Sequence, residues 1–462
     1  MRMKKIMSIL LALLLAAMVV VPMVSAEGNT SEQSDAQPSK ESRTSLITLD
    51  GLSKSIFQIM DEKPSSEAIS SSIEKYDVID IDAKTLKAWL KSGKKVPVRI
   101  NGVPYLMDLH EETFYPSEET GIYTFNGKLV SVKDSRTLPE SSVQLTLDDE
   151  GVLGHISVDS SETIYLDEVP SGNQRIPEQQ IAFSSNDITP DTADLTNDLI
   201  TELPSGEIKP IAQLSEAELE WLNTKQYKTA SIRTSASANA AVLDSMVDVN
   251  LLIATDNKMY TSYSNWKKRA QSVLNDANAA FGVNEIKIRL VPIYDDSKRI
   301  ELSQNFDPLH PFDPFASIFN NAYLDSKGAD IAIYLSGKPF VGSAVGLSKG
   351  FDSGDEYRQA IMSYEAMPPG YGANPQSRAY VFTHELGHLF DGAHEIALNQ
   401  NELYNRATTY LLNGVSKQTT MCVAVSQDPL IFSTDDGIHG DSNHNNALRL
   451  KETKGIVSGY TY

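Results

Sequence analysis

The 462-residue sequence contains one cysteine, Cys422. No internal disulfide can form, and neither a Cys₄ zinc site nor a CxxC redox pair is available. Metal or nucleophile chemistry must therefore run mainly on His, Asp, Glu, Ser or Tyr. Positive charge is scarce as well. Lys and Arg number 40 against 61 Asp and Glu, a formal net charge of −21. Phosphate contact needs clustered Lys and Arg, so the chain is a poor binder of nucleic acid or of an anionic membrane. Past residue 26 no segment approaches 18 consecutive apolar residues, and no internal repeat is present.

The N-terminus is built differently. Arg2, Lys4 and Lys5 precede an apolar run from Ile6 to Val21, and Pro22-Met-Val-Ser-Ala26 comes next, with small residues at Val24 and Ala26. This is the layout of a signal peptide over residues 1–26. A membrane anchor is the rival reading of the same run, and the Pro-then-Val-Ser-Ala ending favours cleavage. The expectation is a secreted, extracellular protein with no stable membrane association once the signal is gone. Export without disulfides points to a bacterial exoprotein.

Residues 27–45 are rich in Ser, Glu, Gln and Thr and read as a flexible leader. Residues 46–181 carry short mixed runs such as Val96–Ile100 and Thr163–Leu166, with turn signals at Asn101-Gly102, Asn126-Gly127 and Glu150-Gly151. That is a β-rich domain with a helical insert near Ala83–Ser92. Residues 182–245 turn polar and small and read as a linker or processing region, with cleavage expected within 229–240. Acidity is uneven: residues 27–236 hold 36 acidic and 19 basic groups, residues 237–462 hold 25 and 18.

From residue 246 to 462 strands alternate with helices. Val247–Ala254 reads as a strand. A helix from Ser264 to Phe281 aligns Trp266, Ala270, Val273, Leu274, Ala277 and Phe281 on one stripe. Ile286–Ile293 and Asp330–Leu335 are further apolar runs, which together describe a three-layer α/β domain.

The chemistry lies at His384-Glu-Leu-Gly-His388. Asn374-Pro375 starts a helix expected to reach Phe390. On it His384 and His388 are four apart and share a face, where two imidazoles can bind one metal ion. Glu385 is rotated by about 100°, near enough to serve an open coordination position without filling it. A catalytic zinc site uses three protein ligands, and His394 supplies the third after a sharp turn at Asp391-Gly392. The rival is that these histidines merely satisfy core hydrogen bonds.

These residues resemble the metzincin metalloprotease signature HExxHxxGxxH, read here as His384-Glu-Leu-Gly-His-Leu-Phe-Asp-Gly-Ala-His394. The wording is most similar to the reprolysin (adamalysin) branch and its disulfide-free bacterial secreted members, across about 245–462. The resemblance implies an α/β (α+β) metzincin-like catalytic domain with a mixed twisted sheet and an active-site helix. It implies Zn2+ on His384, His388 and His394, with Glu385 as general base and then acid. It implies an antiparallel substrate-pairing edge strand within Val341–Lys349, and a Met-turn at Gln418–Cys422 with Met421 as a hydrophobic floor. Leu430–Thr434 and a last helix near Asn443–Tyr460 resemble the closing segment. Residues 46–181 resemble the β-rich reprolysin propeptide, a zymogen's prodomain. Two positions depart from the pattern. Asp391 stands where the family has Gly, and Glu395 where the branch often has Asp.

The implied function is a secreted zinc-dependent endopeptidase acting on protein or peptide substrates, as a monomer. The alternative is a catalytically silent zinc-binding secreted interaction protein, against which an intact Glu385 argues. A thermolysin-like third ligand would be Glu402, too close to His388, and position 408 is Thr. With no cysteine upstream of Cys422, latency would need His110, His155, a carboxylate or steric blockage. Asp435–Asn446 could be a calcium loop, but lacks EF-hand spacing and reads as a solvated loop capping the last helix.

Overall fold

The structure, a computed structural model, describes chiefly residues 69–169, 178–189, 244–299, 315–338, 345–348, 358–364, 374–394, 407–422 and 430–460, a few single positions within them aside, with four short strands before 60 and between 200 and 210. The signal and leader expected at 1–45, most of the linker, Glu395 and Glu402 lie outside the described residues. The chain divides after Arg43, and its second unit, Thr44–Tyr462, holds every described strand and helix.

The first strands are β1 (Ile47–Thr48), β2 (Phe57–Ile59), β3 (Asp77–Ile81), β4 (Val96–Ile100), β5 (Val103–Glu111), β6 (Tyr123–Ser131), β7 (Ser142–Leu147), β8 (Val152–Asp159), β9 (Glu162–Val169) and β10 (Gln179–Ser184). They form one antiparallel sheet in the order β1-β4-β5-β6-β7-β8-β9-β10-β3-β2. Helix α1 (Ala83–Lys91), N-capped by Asp82, packs Leu86 and Leu90 into the sheet's core beside Phe125 and Leu145. Asn101 and Gly102 both take positive φ, +47° and +78°, and close a two-residue hairpin between β4 and β5. Asn126-Gly127, read as a turn, lies instead inside β6, opposite His110 and Leu109. The glycine is there for space, since a Cβ on it would stand 2.0 Å from the Asp108 carbonyl oxygen. Strand β10 runs to Ser184, with Ala182 and Phe183 buried, so pairing extends three residues into the stretch read as linker.

A short pair, β11 (Ile200–Glu202) and β12 (Ile208–Pro210), precedes the second sheet. That sheet holds β13 (Val247–Thr255), β14 (Ile288–Tyr294), β15 (Ile331–Ser336), β16 (Gly346–Ser348) and β17 (Gln359–Ser363) in the order β14-β13-β15-β17-β16. The first four strands in that order are parallel and β16 is an antiparallel edge. Parallel strands bury both faces. Leu251, Ile253 and Ile333 meet helix α2 (Trp266–Val283) through the apolar stripe read from the sequence. Leu252, Ala332 and Tyr334 meet Phe315, Phe319 and Leu324, the last on α3 (Asn321–Lys327). Helix α4 (Pro375–Leu389), the hairpin of β18 (Thr409–Leu412) and β19 (Val415–Gln418), and helix α5 (Asn446–Val457) complete this mixed α/β half. Among the described residues no helix is long and apolar enough to cross a membrane.

The polar side of α2 faces the first sheet, not water. Lys268, Arg269, Gln271 and Asn275 are all buried there. Gln271 donates to Thr124 Oγ1 (2.8 Å), and Asn275 donates to Asn126 Oδ1 (2.8 Å) and Gln144 Oε1 (2.9 Å). Asp276 faces His155 at 3.5 Å, both more than four-fifths shielded. Burial pushes the Asp276 carboxyl up to about 8 and the His155 imidazole down to about 4. From its ordinary 3.8 up to about 8, Asp276 keeps in the fold a proton that the unfolded chain has released, so this residue's contribution to stability falls as pH rises through that window. Asp276→Asn removes that slope. Between pH 5 and 8 the Tm of the wild type should fall relative to that of Asp276→Asn. Parallel melting curves across the range would contradict the assignment.

Candidate metal centre

Helix α4 begins cleanly. The Asn374 side chain accepts from the Ser377 amide (2.9 Å), and Pro375 occupies the first helical position, where no N–H is needed. The helix is buried on every side from Ser377 to Leu389, more completely than a one-faced amphipathic reading implies. Its last turn is closed by the Gly392 amide donating to Gly387 O (2.9 Å), with Asp391 in the left-handed region at φ +69°. Asp is among the few non-glycine residues that take this conformation readily, so the chain reverses without the usual glycine. His394 returns toward the helix.

The three imidazoles converge. The Nε2 atoms of His384 and His394 are 3.0 Å apart, and that of His388 is 3.1 Å from each. Among the described residues this is the group placed to hold a metal ion. Nδ1 of His384 lies 2.8 Å from Thr420 O and Nδ1 of His388 lies 2.9 Å from Gly392 O. A carbonyl only accepts, so both Nδ1 atoms carry the proton and both Nε2 lone pairs point into the triangle. Bare lone pairs at that separation repel, and a cation between them removes the repulsion. Tetrahedral zinc with Zn–N of about 2.0–2.1 Å sets nitrogens roughly 3.3–3.4 Å apart, so the triangle accepts such an ion with small adjustment.

Two glycines fit the surroundings to the helix. A Cβ at Gly346, the first residue of β16, would stand 2.1 Å from Glu385 Oε1, so only glycine lets the edge strand approach the buried carboxylate. A Cβ at Gly387 would stand 2.3 Å from Met421 Sδ, which brings the buried Met421 directly beneath the histidine pair's helix. Neither glycine stands out in the sequence, where a Gly in a strand or helix carries no mark of what approaches it.

Helix α5 grips the turn that delivers His394. Arg449 donates through Nε to Asp391 Oδ2 (2.6 Å), and its Nη1 bonds Glu452 Oε2 (3.0 Å). The Asn446 side chain accepts from the Ala393 amide (3.0 Å) and donates to Ala393 O (3.1 Å). Thr453 Oγ1 donates to Phe390 O (2.6 Å). The acid at the usual glycine position thus has a counter-charge 58 residues away in the chain. Groups that orient ligands from behind typically matter 10–100-fold, so Arg449→Ala should weaken metal binding about tenfold. Asp391→Gly should cost less, because it loses the ion pair but relaxes the backbone. Chelator competition on the purified variants measures both, and unaltered affinity in Arg449→Ala would contradict the clamp.

Other candidates lie apart from this cluster. His110 faces Glu112 at 3.2 Å on the first sheet, and His155 faces Asp276. The Asp436 and Asp441 carboxylates accept from backbone amides two and three residues on and from His439 and His444, capping turns of the loop before α5. Cys422 is buried, with Sγ 3.4 Å from Thr408 O.

Residues 246–428 match the family model Reprolysin_5, described as metallo-peptidase family M12. No curated protein matches the chain. Two solved structures are similar at low identity. "Structure of a chaperone-substrate complex" shares 15% identity over 47% of this chain and 35% of its own, with a TM-score of 0.35. "Crystal Structure of metalloproteinase-II from Bacteroides fragilis" shares 10% identity over 79% of this chain and 96% of its own, with a TM-score of 0.42. The chain thus spans about a third of the first and nearly all of the second, and at these scores neither bears on the fold. The matched span runs from the residue before β13 past the methionine beneath α4, and contains His384, Glu385, His388 and His394. The three histidines therefore lie within the span, residues 246–428, that matches metallo-peptidase family M12.

Proposed function

We propose that the chain is a secreted zinc-dependent endopeptidase of the metzincin type, from the reprolysin-like bacterial branch, made with a signal peptide at 1–26 and a propeptide-like module at 46–181. The observation that carries this reading is the Nε2 triangle of His384, His388 and His394 with Glu385 one residue along the same helix. Three imidazole ligands suit zinc, and three protein ligands leave the open position that catalytic zinc keeps.

His384, His388 and His394 would hold zinc, which when bound would supply Lewis acidity for a carbonyl and make water more acidic. Glu385 takes the proton from the attacking water on its carboxylate and returns it to the departing amine nitrogen, one group acting as base and then acid. Its burial keeps the carboxylate from bulk water, and Gly346 leaves it room. Strand β16, itself buried, is the antiparallel edge beside it and the segment along which an extended peptide would pair. Met421 packs under Gly387 as a hydrophobic floor. Latency proceeds without a thiolate, since the one cysteine, Cys422, lies within the metalloendopeptidase domain.

The test is a peptide library incubated with the purified protein and read by mass spectrometry, before chelation, after it, and after zinc is restored. Cleavage should stop on chelation and return with zinc. A protein that holds zinc and cuts nothing would instead be the silent zinc-binding interaction protein.

A further inference from the structure

A polar seam joins the first sheet to the α/β half, and peptide-bond chemistry at the metal centre makes no use of it. Three cations of the α/β half meet acids of the sheet half. Lys268 Nζ, its side chain fully buried, donates to Asp148 Oδ1 (2.9 Å) and Glu168 Oε1 (2.6 Å). Arg269, equally buried, reaches Asp167 Oδ1 (3.3 Å), Glu168 O (2.6 Å) and Glu178 Oε2 (2.7 Å), and lies over the Tyr263 ring. Arg378, on α4, donates to the other Asp167 oxygen (3.0 Å). Asn265 donates to Glu168 Oε2 (2.7 Å), and Tyr165 OH to Gln376 Oε1 (2.9 Å). Beyond these, Tyr115 of the sheet half is buried within the α/β core with Val249 and Phe281, and Asn278 donates to its hydroxyl.

The seam runs from Asn265 to Asn278, about 20 Å of helix at 1.5 Å per residue. Ordinarily this face of a crossover helix is solvated. Here each cation has exchanged water for fixed carboxylates, and a buried charge that loses its partner is strongly penalised, so the two surfaces are made for each other. The seam also keeps clear of the metal centre. On α4 it occupies Gln376 and Arg378, about two turns ahead of His384. The unequal acidity of the two halves has part of its cause here.

We propose that the β-rich half is a lasting partner of the metalloendopeptidase domain, so that a cut in the linker yields a two-chain protein held by this seam and not a free protease. The proposal builds on the reading of residues 46–181 as a separate module, and does not depend on the site being active. The test uses the full chain carrying Glu385→Ala, with a cleavage sequence for an added site-specific protease placed within 229–240. After the cut, both fragments should elute together in size exclusion at physiological salt, at the mass of the whole. In the same chain, Asp167→Asn with Glu178→Gln should raise the fragments' dissociation constant at least about tenfold. Fragments that separate on the first pass overturn the proposal, as does an unchanged dissociation constant in the folded double variant. Because catalysis is absent by design, a failed peptide assay leaves this result untouched.

Discussion

Glu385→Ala should retain one metal ion per chain and lose peptide cleavage by about 10²–10⁴-fold, the span over which a positioned acid–base group contributes. The side chain lies on the ligand helix, but the nitrogens that form the triangle belong to His384, His388 and His394, so truncation leaves the donor set whole. The loss should fall on kcat, because moving a proton from water to the amine nitrogen matters in the transition state and not in peptide binding. Glu385→Gln is the sharper variant. It fills the same space beside Gly346 and keeps hydrogen-bonding capacity, yet cannot accept the proton. Near-wild-type turnover in Glu385→Gln with metal bound would remove this residue from the chemistry.

His394→Ala should release the metal without unfolding the chain. His384 and His388 belong to a helix buried on all sides, and replacing either leaves a hole in the core. His394 is only part-buried, at the end of a turn held by Asn446 and Thr453 through backbone groups that the substitution leaves alone. Apparent zinc binding of roughly 10–16 kcal/mol, shared among a handful of ligands, gives about 3–5 kcal/mol per ligand, or roughly two to four orders of magnitude in affinity. Chelator competition should show that loss. The gap between holo and apo Tm should shrink with it, since a ligand that binds only the folded state stabilises by mass action. Unchanged zinc affinity in His394→Ala would mean the third ligand is elsewhere.

Much of this site was legible in the sequence, because it is local. His384 and His388 are one helical turn apart, the Asn374-Pro375 start has an unambiguous signature, and Asp391-Gly392 marks the reversal to His394. The same locality gave the apolar stripe of α2 from Trp266 to Phe281. What stayed hidden depends on distant chain. Lys268, Arg269, Gln271 and Asn275 look like a solvated face, because a polar helix side reads the same whether it meets water or a polar partner. The grip of Arg449 on Asp391 joins positions 58 apart, which no periodicity links, and Met421 beside Gly387 was legible only through the family resemblance. Asn126-Gly127 shows the converse error. The pair has turn composition, but Asn126 bonds Asn275 across the seam and Gly127 yields space to the neighbouring strand. Propensity gave way to tertiary contact there.

Three imidazoles should hold one zinc ion with a fourth position open. X-ray absorption at the zinc edge of the purified, chelator-free protein tests it most directly. The expected result is a stoichiometric zinc shell of three imidazole nitrogens and one further oxygen at about 2.0–2.1 Å, absent from His388→Ala. A shell containing sulfur, a shell of carboxylates without imidazole, or protein purified with no bound metal and no capacity to take it up would contradict it.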